Sequence, residues 1–180
     1  MSPIEIGLCL LLLHGVLGAF DTFYNHEWRE RLPHRPAAAH ELALHSARSW
    51  AFAVMFTGLA WFEWHGLWGW LLLALIGLEY AVTIFDSVVE DRTRTLSAIE
   101  RTNHMLLGLN TGLYAAFIGI EVIARWGLQP TALAPVRYGL LSWALSACAA
   151  ALVVWAIRDG WASLRLRRAS LSGSRAVRPA

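Results

Sequence analysis

Two segments, HELALH and ERTNH, each set a glutamate four residues before a histidine: Glu41 with His45, and Glu100 with His104. On a helix, side chains four apart share a face one turn from each other, so each pair can reach a common point. A second spacing is also repeated. His14, Asp21 and Asn25 fall at offsets of 0, 7 and 11, and Glu79, Asp86 and Glu90 repeat those offsets. Steps of seven and eleven residues return to one helix face. Carboxylates and neutral imidazoles on facing helices suit a two-metal centre, because carboxylates bridge and neutralise two cations while imidazole favours transition metals.

The elements that must position these residues are otherwise nearly hydrocarbon. The chain of 180 residues is 57% hydrophobic and only 16% charged, whereas a soluble domain has roughly 25% charged residues. Apolar runs of about 20 residues are long enough to cross a bilayer. They predict an all-α integral membrane protein with five transmembrane helices, near residues 4–26, 39–63, 68–91, 97–124 and 136–158. The spans must be helical because an open sheet leaves its backbone unsatisfied in lipid. The expected organisation is a transmembrane domain over 1–160 and a basic tail over 161–180 resting on anionic lipid.

The connections carry topological information. All 15 basic residues are Arg, and most fall in the first connection (EWRERLPHRPAAA), the third (DRTRTLS) and the tail. The opposite side has only Arg125 and Arg137. The positive-inside rule then sets the N-terminus outside and the C-terminus in the cytoplasm of a bacterial-type inner membrane. A net charge of +2 is no nucleic-acid signal. Cys9 and Cys148 lie inside apolar runs and read as small core residues. The N-terminus lacks the basic region of a cleavable signal peptide.

In this arrangement the first four helices form a bundle of two similar hairpins. Asp21 and Asp86 lie at one depth, with His14 and Glu79 about 10 Å deeper at 1.5 Å per residue. The Glu-x3-His pairs return at the level of the aspartates. The expected metal ligands are therefore His14, Asp21, Glu41, His45, Asp86, Glu90, Glu100 and His104, near the cytoplasmic face. Ionisable groups inside spans are costly and default to functional roles. Glu79 is expected to pair with His14 or relay protons. Arg48, one turn past His45, would neutralise a carboxylate or grip an anionic substrate; it and Glu79 are the expected catalytic residues.

Plainer roles compete with these. Glu100 completes a capping box with Ser97, and Glu41 is an acid in a first helical turn, where the dipole favours it. Asp86 and Glu90 sit near a helix C-terminus and need a cation, which Arg48, Arg92 or Arg94 could supply without metal. Asp91 reads as a loop partner of Arg94. His26 and His34 read as solvated members of the Arg-rich loop; Glu63, Trp64, His65 and Glu121 read as interfacial.

The layout resembles the di-iron carboxylate four-helix bundles, the ferritin-like proteins with alternative oxidase and the quinone-ring hydroxylases as membrane-attached relatives. Those proteins place one acid on each of two helices and Glu-x2-His on the other two. Here Asp21 and either Asp86 or Glu90 stand for the lone acids, and Glu41/His45 and Glu100/His104 for the pairs, at a spacing longer by one residue. The resemblance is one of layout. It implies two metal ions, iron foremost with Zn, Mn or Mg as alternatives. It also implies a membrane oxidoreductase acting on a lipid, isoprenoid or quinone-like substrate with a redox partner. Three other functions fit the composition: a haem b electron carrier, a Mg-dependent lipid-diphosphate enzyme using Asp86-x3-Glu90-Asp91, and a metal or proton transporter or accessory membrane subunit. Carboxylates around the histidines suit a porphyrin poorly, imidazoles suit Mg poorly, and no inverted repeat suggests a carrier.

Overall fold

The structure, a computed structural model, describes residues 1–93 and 95–176. Arg94, expected to pair with Asp91, and Arg178 of the basic tail lie outside the described residues. The chain is mostly helical: α1 (Pro3–Phe20) continues into a π-helical segment (Asp21–Arg29), followed by α2 (Ala39–Trp61), α3 (Leu67–Thr93), α4 (Ala98–Ala124) and α5 (Leu140–Ala176). Local chemistry starts these helices. Ser2 N–H donates to Glu5 Oε2 at 2.7 Å while Glu5 N–H donates to Ser2 Oγ at 3.4 Å, with Pro3 opening α1. Ser97 caps α4, its Oγ accepting Glu100 N–H at 3.2 Å.

Segments Pro3–Arg29, Leu67–Arg92, Ala98–Leu128 and Leu140–Ser170 are long and apolar enough to cross a membrane. Their apolar windows are only 22–39% buried, so most of that hydrocarbon faces outward. Five such helices were expected and four qualify. The exception is α2, whose first turns carry Glu41, His45 and Arg48.

Helix pairing decides what surrounds those polar turns. α2 lies along α5 and α1 along α4 in the two most extensive contacts, and α3 leans more lightly on α2 and α4. Leu8, Leu11, Phe56, Leu59, Leu72, Tyr114, Ile118 and Leu145 fill the core between them. α5 is thus a wall of the bundle. It also runs unbroken beyond the span expected to end near 158. The physical reason is packing: Ala162 and Leu166 bury against Leu32, Ala38 and Leu42. Ser163 Oγ donates to Ala39 O at 2.6 Å, and Arg165 Nη2 donates to Pro33 O at 2.9 Å.

The two connections at the other end form a ribbon. β1 (Phe62–His65) pairs antiparallel with β2 (Ala132–Pro135), setting Phe62 opposite Pro135 and His65 opposite Ala132. Gly66 then turns the chain into α3 at φ +56°, where a Cβ would sit 2.6 Å from Thr131 Cα, so only glycine fits.

Candidate metal centre

Where α1 and α3 end and α2 and α4 begin, the carboxylates of Asp21, Glu41, Asp86, Glu90 and Glu100 are all buried. Glu90 lies at their centre. Its Oε1 is 4.0 Å from His45 Nε2, and its Oε2 is 3.4 Å from His104 Nδ1. Two groups of four residues are close enough to hold a metal: His26, Glu90, Glu100 and His104, and His26, Glu41, His45 and Glu90. Within each group the donor atoms all lie within 4.8 Å of one another. Each Glu-x3-His pair falls in its own group, and Glu90 and His26 belong to both.

The aspartates sit one position outward. Asp86 Oδ2 lies 2.9 Å from His45 Nε2, and Asp21 Oδ2 lies 3.2 Å from His104 Nε2. Asp21 Oδ1 also accepts from Asn25 Nδ2 at 2.7 Å. A carboxylate on one imidazole nitrogen fixes the ring orientation and raises the basicity of the other, as in carboxylate–histidine–metal triads. His104 has this geometry, with Nε2 on Asp21 and Nδ1 toward Glu90. Asp86 Oδ1 is buried with no hydrogen-bond partner among the described residues.

Arg48 supplies part of the compensating charge. Its Nη1 donates to Asp86 Oδ2 at 3.2 Å and its Nε to Glu79 Oε1 at 3.4 Å. Glu79 also accepts from Thr83 Oγ1 at 2.7 Å and from Tyr114 OH at 3.4 Å. The expected His14–Glu79 pair does not form, because Arg48, Thr83 and Tyr114 occupy the carboxylate. His14 lies instead between Phe52 and Tyr114, at centroid distances of 4.8 and 5.4 Å, outside both four-residue groups. The other polar residues stay apart: His34 is exposed, His65 Nε2 pairs with Glu63 Oε2 at 2.9 Å on β1, and Glu121 pairs with Arg125 at 2.6 Å.

His26 is the residue that sequence reasoning assigned to the loop. It is buried, its Nε2 lies 3.3 Å from Asp21 Oδ2, and its ring stacks on His45 with centroids 4.4 Å apart. The cause is the π-helical segment, where hydrogen bonds run from residue i+5 to i, as in Glu30 N–H to Asn25 O at 2.8 Å. Residues five apart then share a face. Asp21 to His26 on this segment is the counterpart of Asp86 to Glu90, four apart on α3. The offsets of 0, 7 and 11 match in the two hairpins, so the spacing gave no signal for His26.

A cavity of about 220 Å³ opens from the cluster. His45, Arg48, Asp86 and Glu90 line its polar end, and Phe52, Phe56 and Leu107 line its apolar wall. Cys148, Leu152, Trp155 and Asp159 of α5 complete it. The donor set fits metal ions. Three buried glutamates beside three histidines concentrate negative charge that burial tolerates only with cations, and mixed N and O donors suit Fe, Mn or Zn.

Fold and cluster together define a helical protein with membrane-length apolar helices and a buried histidine–carboxylate group able to hold metal. Comparison of the chain with known protein families, curated proteins and solved structures returns no match.

Proposed function

We propose that this chain is a membrane-embedded, metal-dependent oxidoreductase whose centre holds two ions, iron foremost, and acts on an apolar substrate entering from the bilayer. The observation that carries the reading is Glu90, whose two oxygens face the two Glu-x3-His pairs separately. A carboxylate so placed could serve two cations, and His26 belongs to both groups. In this reading His26, Glu41, His45, Glu90, Glu100 and His104 bind the ions, and Asp21 and Asp86 orient the imidazoles. The mostly apolar cavity excludes water and receives the substrate. Arg48 balances Asp86 and Glu79 at its edge.

A bound pair of redox-active ions would supply the electron-transfer chemistry, with a separate redox partner returning electrons. The chain's own groups would hold a proton at a defined atom away from the ions, the Tyr114 hydroxyl that donates to Glu79 Oε2. The Arg distribution supports a centre at the cytoplasmic side of a bacterial-type inner membrane. Metal analysis of protein purified from iron-rich medium is the test. The expected content is close to two iron atoms per chain. Protein carrying no transition metal would reject the oxidoreductase reading, and stoichiometric magnesium alone would favour the lipid-diphosphate alternative.

A further inference from the structure

His14 is buried yet lines the cavity. Its ring is fixed by stacking on Phe52 and by the edge contact with Tyr114. Neither ring nitrogen has a hydrogen-bond partner among the described residues, and Nδ1 is fully enclosed. A buried imidazole without partners is costly and calls for one. Asp21, at the metal cluster, is seven residues along the same helical run, which puts His14 about 10 Å from the cluster at 1.5 Å per residue.

Three features of the cavity restrict what could partner His14. The apolar wall of Phe52, Phe56 and Leu107 favours hydrocarbon over a polar ligand in this space of about 220 Å³. A chain longer than the cavity has an exit: α1 meets α5 over a small contact, with Gly18 and Ala19 on one side and Ala151 on the other. A Cβ at Gly18 would meet nothing within 4 Å. Charge does not call for an anion: Arg48, the one arginine among the described lining residues, is already engaged by Asp86 and Glu79.

We propose that His14 is the substrate-anchoring residue. It hydrogen-bonds the single hydroxyl or carbonyl oxygen of a neutral, chain-like lipid whose reacting segment lies about 10 Å away at the cluster and whose remainder leaves between α1 and α5. Calling the ligand a substrate rests on the oxidoreductase reading; the binding itself does not. His14 is therefore a specificity determinant and not a metal ligand.

The test titrates full-length protein carrying isotope-labelled histidine, in lipid nanodiscs, with 1-octanol and with n-octane while imidazole resonances are followed. The His14 signal, assigned by its loss in His14→Phe, is expected to move with 1-octanol and not with n-octane. His14→Phe should weaken 1-octanol binding about tenfold and leave n-octane binding unchanged. Equal responses to the two probes, or unchanged 1-octanol affinity in His14→Phe, would overturn the proposal. If that variant does not fold, the His14 signal is assigned by sequential backbone connectivity and the wild-type comparison of the two probes decides. Metal content measured on the same samples separates the two readings. Metal-free protein that still anchors 1-octanol at His14 rejects the oxidoreductase and keeps the site. Two irons with no His14 response reject the anchor alone.

Discussion

Nε2 of His26 lies 3.3 Å from Oδ2 of Asp21, five residues earlier on the same helical run. On α3 the equivalent step from Asp86 to Glu90 takes four residues. The two hairpins therefore deliver their shared donors by different routes, an ordinary α-turn for Glu90 and a widened π-turn for His26. π-helical turns are uncommon and concentrate at functional sites, and here the extra residue brings an imidazole to the second face of the cluster.

Glu90 should be the residue on which both ions depend. Glu90→Ala is expected to remove both metals, whereas Glu41→Ala and Glu100→Ala should each leave about one ion per chain, since a carboxylate can bridge two cations. Elemental analysis of the three variants checks this; equal loss in all three would contradict a shared bridge.

His26→Ala is expected to lower metal content at least as much as His45→Ala or His104→Ala, because His26 belongs to both donor groups. His34→Ala, on the exposed loop, should change nothing. Metal content measured side by side gives the answer, and a His26 variant indistinguishable from wild type would return that residue to a structural role.

Asp21→Asn and Asp86→Asn should weaken metal binding without abolishing it. Both aspartates contact histidine Nε2 atoms, at 3.2 Å for His104 and 2.9 Å for His45. Loss of such an orienting carboxylate costs about 10- to 100-fold in affinity. Competition with a chelator should show that loss while saturating metal restores full stoichiometry.

Arg48→Met leaves Glu79 buried without its cation, at a cost of about 3 kcal/mol or more. The expected result is a clear fall in Tm in detergent. The double variant Arg48→Met/Glu79→Gln should recover most of it, because a neutral amide can still meet Thr83 and Tyr114. A double variant no more stable than the single one would assign Arg48 to packing instead of charge.

Sequence alone determined what depends on local spacing and composition. Apolar runs of membrane length marked the helices, and periodicity placed Glu41 with His45 and Glu100 with His104 on common faces, because a helix converts sequence distance directly into direction. Tertiary structure decided the rest. It set Asp21 against His104 and Asp86 against His45, turned Glu79 to Arg48 instead of His14, and made α5 a wall of the cavity. Those relations depend on which helices pack together, and many packings satisfy the same apolar faces. His26 escaped for a different reason: its place is set by a change of hydrogen-bond register from four to five within one helical run, and a 3.6-residue period carries no trace of that shift.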